Sequence, residues 1–154
     1  GVDVCAHRGA LEGGRTIAVL GCGPDTAYPA AHRSLWRRIT ERGLVLSELA
    51  PGASPWRWTF PARNRIMAAL TEMTVVVEAA ERSGSMITAE FATSRGREVG
   101  AVPGPVNSRS SAGTNKLLAE GAYVIRGAQD VFDVLCGMGA SSDLRAADPP
   151  SGHS

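Results

Sequence analysis

Cysteine is scarce in this chain of 154 residues, and its three copies lie far apart. Cys5, Cys22 and Cys136 form no Cys-x-x-Cys pair, and an odd number cannot all pair within one chain. This spacing argues against a disulfide framework and against a zinc site. We expect three reduced thiols.

Histidine is equally scarce, and long hydrophobic runs are absent. His7, His32 and His153 are scattered along the sequence, so we predict no metal site and no cofactor. No apolar run approaches the length of a membrane-spanning helix, and no basic segment followed by an apolar one opens the chain. We therefore expect a cytoplasmic protein without a membrane partner.

Lysine is almost missing, since Lys116 is the single copy among sixteen basic residues. The formal net charge of +1 does not by itself indicate a nucleic-acid partner. The first 65 residues carry nine arginines against five acidic residues, whereas the remainder is net acidic. A GC-rich genome would produce the same arginine bias, so this asymmetry only weakly indicates a basic face.

What the sequence does contain is a regular alternation of apolar strands and helices. The strands are apolar on both faces, which is typical of a mostly parallel sheet in an α/β domain. The pattern predicts one domain over residues 1–136 and a disordered tail rich in Gly, Ser, Asp and Pro at 137–154. The predicted helices are 1–11, 30–42, 64–72, 84–95, 113–120 and 131–135, and the predicted strands are 16–20, 44–48, 74–78, 98–102 and 123–125.

Two segments suited to binding phosphate flank the predicted strand at 74–78. Before it, two arginines surround an asparagine near a helix start, and arginine matches the geometry of phosphate. After it, a Gly/Ser turn opens a helix whose free amides and dipole attract anions. The candidate phosphate-binding residues are Arg63, Asn64, Arg65, Ser83, Gly84, Ser85, Thr88 and, at another helix start, Lys116.

Each of these candidates also has a purely structural interpretation. Arg63 or Arg65 could pair with Glu48 or Glu78 at a neighbouring strand end. The serines and Thr88 could simply cap their helix, as such residues commonly do. Lys116 could be a solvated surface lysine.

Three further features leave similar alternatives open. Trp56 and Trp58, separated by an arginine, could stack on single-stranded bases, or one of them could pack the loop onto the core. Asp3 and His7 lie one helical turn apart and could form an acid/base pair, or a cap and a structural histidine. The Gly-x-Gly that ends at Gly23 lacks the third glycine of a dinucleotide fingerprint, so it does not predict NAD.

The sequence resembles the DprA/Smf family of bacterial DNA-processing proteins from residue 1 to about residue 135, in the family's order and spacing. The resemblance rests on seven motifs. They are Gly1-x-Asp3-x-x-Ala6-His7-x-x-Ala10-Leu11, Thr16 to Gly21-x-Gly23-x-Asp25-x-x-Tyr28-Pro29, Phe60-Pro61-x-Arg63-Asn64-Arg65-Ile66, Val77-Glu78-Ala79, Ser83-Gly84-Ser85-x-x-Thr88-Ala89, Ala101-Val102-Pro103-Gly104 and Gly113-Thr114-Asn115-x-Leu117.

The resemblance implies a Rossmann-like three-layer domain that binds single-stranded DNA without strong sequence preference. Family members protect incoming strands in natural transformation, pass them to the recombinase RecA, and generally work as dimers. They are not known for catalysis, so we expect no enzyme activity. Leu117, Leu118, Val124 and Ile125 form an apolar patch near the C-terminal end of the domain. In the family this end supplies the dimer contact, which implies that some of these residues lie at a two-fold interface.

One departure from the family bears on these expectations. Its Rossmann-like domain starts with two more strands, one ending in a Gly-Ser-Arg-type loop and one ending just before the Gly-x-Asp found here at residues 1–3. We therefore expect an N-terminally truncated sheet, without part of the basic DNA pocket. Such a sheet would expose an edge that normally lies inside it.

Two other functions remain open. Related lysine-decarboxylase-like proteins, including nucleoside-monophosphate phosphoribohydrolases, hold phosphate at a similar helix start, and Glu78 would be the candidate carboxylate for such an enzyme. Their Pro-Gly-Gly-x-Gly-Thr pattern is absent from this sequence. Alternatively, the truncated domain is a folded remnant or a RecA-contact module without DNA affinity of its own.

Overall fold

Helices and strands alternate along the chain in a computed structural model that describes residues 1–137. The predicted tail lies, from residue 138 onward, outside the described residues. The helices are α1 Val2–Gly13, α2 Arg33–Arg42, α3 Thr59–Leu70, α4 Gly84–Ser94, α5 Ala112–Ala119 and α6 Ala128–Cys136, with 3-10 turns at Ala30–His32 and Arg109–Ser111. The strands are β1 Ile17–Val19, β2 Leu44–Leu46, β3 Met73–Val76, β4 Glu98–Ala101 and β5 Tyr123–Val124.

All the strand pairings are parallel, which confirms the predicted α/β class. The strands do not form one continuous sheet, however. β1 pairs with β2, whereas β3, β4 and β5 form a separate sheet in that order. Within residues 1–137 no strand joins β1 to β3, so each of these two strands keeps one open edge.

Two apolar clusters hold the helices on the sheets. Leu11 from α1 and Leu35 and Ile39 from α2 pack with Ala18 of β1. The larger cluster joins α3, α4 and α5 to β3 and β4, and many of its residues are alanines, which allow the helices to approach the sheet closely. Its buried members are Ala68, Val76, Ala79, Met86, Ala89, Ala92, Val99, Ala101 and Leu117.

The four residues implied in a dimer contact have different environments. Leu117 and Ile125 are only 8% and 4% exposed, so the chain's own core accounts for their apolar character. Leu118 is partly buried and packs against the larger cluster. Val124 is 53% exposed and remains accessible.

The start of α3 differs from its prediction. The helix begins at Thr59 rather than Asn64, so Pro61 lies in its first turn. Proline is tolerated there because the amides of a first turn have no acceptor within the helix. The Thr59 hydroxyl donates to the Gly21 carbonyl at 2.6 Å and thereby anchors the helix start to the loop after β1.

We predict that Gly113→Ala destabilises the domain. The Gly113 amide donates to the Ala79 carbonyl at 2.8 Å, and an added Cβ would lie 2.7 Å from the carbonyl oxygens of Ala79 and Ala80. The resulting overpacking should lower the free energy of unfolding by about 1–3 kcal/mol, measured by urea denaturation.

Gly9→Ala is the matched control for this substitution. Gly9 is exposed within α1, and an added Cβ would meet no atom within 4 Å. Because alanine favours helix more than glycine does, this variant should gain up to about 1 kcal/mol. Equal stabilities for the two variants would contradict the close approach at Gly113.

Candidate nucleic-acid interface

The loops at the carboxyl ends of β1 and β2 are joined by hydrogen bonds. The Ser47 hydroxyl donates to the Cys22 carbonyl at 2.6 Å, and the Gly52 amide donates to Asp25 Oδ1 at 2.7 Å. Carboxyl ends of parallel strands are where ligands bind in open α/β sheets. The loop that carries Trp56 and Trp58 is therefore fixed at this ligand-binding edge.

A cavity of about 320 Å³ lies beside β3, and we call it the β3 cleft. Five of the eight predicted phosphate-binding residues line it. They are Arg63 and Asn64 from α3 and Gly84, Ser85 and Thr88 from α4. The Asn64 side-chain amide donates to the Gly84 carbonyl at 3.2 Å, so the two predicted segments are in direct contact.

The start of α4 is open to an anion. Ser83 is the N-cap residue, but its hydroxyl makes no capping hydrogen bond. The Ser83 oxygen is buried and has no partner among the described residues. The first amides of any helix lack intrahelical acceptors and carry the positive end of its dipole. Ser83 therefore does not cap α4 with its side chain, and the helix start can bind an anion such as phosphate.

Arg63 lies half-buried at the border of the β3 cleft. Its Nη1 donates to the Val19 carbonyl at 2.5 Å, and its Nε donates to Asn64 Oδ1 at 3.1 Å. The guanidinium also lies 5.9 Å from the centre of the Phe60 ring. Burial lowers the pKa of Arg63, with Asp3 and Cys22 opposing this shift. Part of the donor capacity of Arg63 is thus used within the protein.

Arg65 forms an ion pair with Glu48, which is one of the structural alternatives considered from the sequence. The two side chains are 45% and 50% exposed. Exposed ion pairs contribute little free energy, so a phosphate can compete with Glu48 for this arginine.

Both tryptophans of the loop before α3 are exposed. Trp56 and Trp58 are 65% and 64% accessible, so packing of either one onto the core is not observed. Trp58, Glu48 and Arg63 line the same small cavity of about 40 Å³. An exposed indole is suited to stacking on a nucleic-acid base.

Lys116 lies apart from this cluster. Its ammonium is 3.8 Å from Glu120 one helical turn later on α5, and it does not line the β3 cleft. The structure therefore does not bring Lys116 together with the five predicted residues that line the cleft.

Asp3 and Phe60 also line the β3 cleft, although the sequence did not predict them as phosphate-binding residues, and so does Glu78, the candidate carboxylate. A larger cavity of about 590 Å³ lies between β1 and the end of β3, and we call it the intersheet cavity. Phe60 and Arg63 line both spaces. The position of Glu78 next to the Gly/Ser turn indicated its placement from the sequence, whereas nothing local to Asp3 or Phe60 did so.

His7 has a structural partner rather than a catalytic one. Its Nδ1 lies 2.7 Å from the Thr16 hydroxyl. Burial lowers the pKa of His7 below its usual 6.5, while Asp3 opposes and Arg63 reinforces the shift. This arrangement fits the interpretation of His7 as a structural histidine.

In the part of the chain that the structure describes, no three or more His, Cys, Asp or Glu residues are grouped so that they could hold a metal ion. No helix in this part combines the length and apolar character needed to cross a membrane.

Comparison with known proteins gives consistent matches. The family model of DNA recombination-mediator protein A matches residues 1–136. DNA processing protein DprA of Streptococcus pneumoniae is 48% identical over 133 residues, which are 86% of this chain and 47% of that protein. Protein Smf of Escherichia coli is 40% identical over 137 residues, or 88% of this chain and 37% of that protein.

Solved structures show the same likeness. The X-ray structure of DprA from S. pneumoniae superposes with a TM-score of 0.81 at 46% identity, covering 86% of this chain and 47% of that one. A structure that gives insight into the single-stranded DNA binding mode of DNA processing protein A from Helicobacter pylori superposes with a TM-score of 0.79 at 34% identity, covering 88% and 62%. The chain thus spans less than half the length of these curated relatives.

We predict that the pKa of His7 responds to both of its charged neighbours. Arg63→Ala should raise it, because a nearby cation is removed, and Asp3→Asn should lower it further. An NMR titration of the imidazole signals measures both shifts. The unfolded state binds this proton more readily, so the free energy of unfolding should fall as the pH is lowered through 6.5. A His7 titration that is the same in both variants would contradict this geometry.

Proposed function

Because this chain belongs to the DNA recombination-mediator protein A family, which includes the DprA and Smf relatives above, we propose that it binds single-stranded DNA at the carboxyl edge of its strands. One observation carries the proposal: Arg63, Asn64 and the start of α4 meet in the β3 cleft. Both exposed tryptophans lie in the loop that leads into α3, the helix that supplies the two cleft residues.

Phosphate recognition is the first step of this binding mode. A backbone phosphate lies at the start of α4, where it accepts from the amides of the exposed residues Gly84 and Ser85. Arg65 exchanges Glu48 for a neighbouring phosphate, because an exposed ion pair is easily broken. None of these contacts reads a base, so binding depends little on sequence.

Base stacking is the second step. Trp56 and Trp58 present their faces to bases, and each stacked base contributes roughly 1–3 kcal/mol. Stacking needs unpaired bases, which makes the surface selective for single strands over duplex DNA. Phosphate neutralisation in turn makes the affinity fall with salt.

The cellular role follows from the family resemblance. We propose that the protein works in the cytoplasm, without enzymatic activity, where it protects incoming strands during natural transformation and loads RecA onto them. Lys116, which does not line the β3 cleft, is proposed as a further DNA contact.

An enzyme is the second candidate, and the position of Glu78 favours it. This carboxylate lines the β3 cleft beside Ser85 at the start of α4, as a phosphoribohydrolase acting on nucleoside monophosphates would require. Incubation with nucleoside monophosphates followed by chromatography separates the two functions. Release of free base that is abolished by Glu78→Gln would establish the enzyme and contradict the binding role.

We also propose a homodimer through the β5–α6 end of the domain. Apolar side chains are exposed there on both elements, and β5 is an edge strand of its sheet. An unpaired strand edge and exposed apolar side chains both favour association. The residues are Tyr123, Val124, Phe132 and Leu135, which are 42–56% exposed. Leu118, partly buried nearby on α5, would lie at the margin of the contact.

Val124→Glu should convert this dimer to a monomer, because a carboxylate would be buried in an apolar contact. Sedimentation velocity measures the change in mass. Val106→Glu is the control, since Val106 is 95% exposed and lies outside the β5–α6 end. Dimers in both variants would contradict this interface, whereas a monomeric parent chain would contradict the dimer itself.

DNA binding should depend on Trp58 and Arg65. We expect Trp58→Ala to weaken binding of a fluorescent oligo-dT by roughly 1–3 kcal/mol in an anisotropy titration. Arg65→Ala should reduce the salt slope of log K by about 0.7, the value for one phosphate contact on a single strand. Glu48→Gln should strengthen binding, because it removes the carboxylate that competes for Arg65.

Arg97→Ala is the matched control for these variants. Arg97 directly precedes β4, so it lies at the amino ends of the strands, on the opposite edge from the proposed site. The Arg97→Ala variant should bind oligo-dT with the same affinity as the parent chain. An equal loss of affinity in Arg97→Ala and Arg65→Ala would show that charge alone, and not this surface, attracts the DNA.

A further inference from the structure

Helix α2 carries a dense group of positive charges. Four of the fifteen arginines of the chain lie within its ten residues, whereas Glu41 is its single acidic residue, so its formal charge is +3. A GC-rich genome explains a preference for arginine over lysine, but it does not explain this clustering. All four arginine side chains are exposed, namely Arg33, Arg37, Arg38 and Arg42.

The charge of α2 is not neutralised by the part of the chain that the structure describes. Within residues 1–137 none of the three ion pairs involves an α2 residue. The helix packs against α1, and α1 with the turn after it supplies no excess of acid, because Arg8 and Arg15 balance Asp3 and Glu12. The arginines of α2 therefore remain available to a partner.

Two of these arginines lie where a positive charge disfavours the helix itself. Arg33 is the first residue of α2, at the positive end of the helix dipole. Arg37 follows it by four residues, and like charges at this spacing repel each other on a helix surface. Arg42, in contrast, lies in the last turn, where the dipole favours a cation. Helix stability therefore does not explain Arg33 and Arg37, which favours a role in binding.

The chemistry of this surface matches a polyanion with repeated phosphates. Arg33 and Arg37 are one helical turn apart and lie on the same side of α2, and each guanidinium can bind a phosphate through two hydrogen bonds. No aromatic side chain is exposed on α2, since Trp36 is half-buried and lines the intersheet cavity. Without base stacking the surface does not select unpaired bases, so the higher charge density of duplex DNA favours the duplex.

We propose that α2 is a second nucleic-acid site, which binds the backbone phosphates of duplex DNA through Arg33, Arg37 and Arg38. This site is separate from the β3 cleft, because no α2 arginine lines that cleft. The helix runs back from the carboxyl edge of β1 to the amino end of β2, so Arg33 lies at the same edge as the proposed single-strand site. Duplex binding by α2 does not depend on single-strand binding in the β3 cleft.

The test compares two variants that each lose two positive charges. Arg33→Gln/Arg37→Gln changes α2, whereas the control Arg95→Gln/Arg97→Gln changes the segment between α4 and β4. In anisotropy titrations with a fluorescent blunt duplex at low salt, the α2 variant should bind several-fold more weakly than the control. The slope of log K against log salt should fall by about 0.9 for each arginine that contacts a phosphate. Equal duplex affinities of the two variants would overturn the inference.

A conservative variant separates binding from folding. Arg33→Lys/Arg37→Lys keeps both charges, so it should bind the duplex more tightly than the Gln variant does. The Gln variant itself should unfold at no lower urea concentration than the parent chain, because it relieves the repulsion within α2. A loss of duplex affinity that lysine does not restore at all would overturn the phosphate contacts.

A second measurement applies if the Gln variant does not fold. The duplex is then added to the unmodified chain, and the amide signals are followed by NMR. Shifts on residues 33–42 support the α2 site, and their absence overturns it. Binding of poly-glutamate, but not of the duplex, to these residues would also overturn it and would assign α2 to an acidic protein.

The outcome for α2 is distinguishable from that of the proposed function. The single-strand site is tested with oligo-dT, and α2 is tested with the duplex. Duplex binding through α2 without any binding of oligo-dT at the β3 cleft would overturn the proposed function and leave the α2 site intact. The opposite result would overturn the α2 site alone.

Discussion

The hydrogen bond from Arg63 to the Val19 carbonyl joins the two sheets at the edges where neither has a strand partner. Arg63 belongs to α3, whose Ala68 packs in the larger core with β3 and β4, while Val19 belongs to the smaller sheet. A half-buried guanidinium thus satisfies a carbonyl that a neighbouring strand would otherwise bond. The position of the candidate DNA site depends on this contact, because Arg63 lines both the β3 cleft and the intersheet cavity.

Features with a local physical cause were predictable from the sequence. The apolar runs predicted the parallel strands, and the Gly/Ser turn at Ser83 predicted the start of α4 to within a residue. The meeting of Asn64 with Gly84 was predictable too, because carboxyl ends of parallel strands share one edge. The sequence predicted a helix start at residue 64, whereas α3 begins at Thr59, because Pro61 in the first turn loses no hydrogen bond.

The remaining features depend on distant partners, which a local pattern does not contain. Whether Arg65 pairs with Glu48 or stays free is decided by contact between α3 and the loop after β2. The exposure of Trp56 and Trp58 depends on how that loop is held at Gly21 by Thr59. The division into two sheets likewise follows from which strand edges meet, and alternation alone predicts only that the strands are parallel.

NMR chemical-shift perturbation with an oligo-dT tests directly whether DNA binds at the start of α4 and the tryptophan loop. If this surface binds DNA, the largest shifts should fall on the amides of residues 83–88, on the indoles of Trp56 and Trp58 and on the side chain of Arg65. Shifts concentrated instead on the arginines of α2, with the start of α4 unchanged, would contradict it. In that case the β3 cleft would be a gap between sheets and not a DNA-binding site.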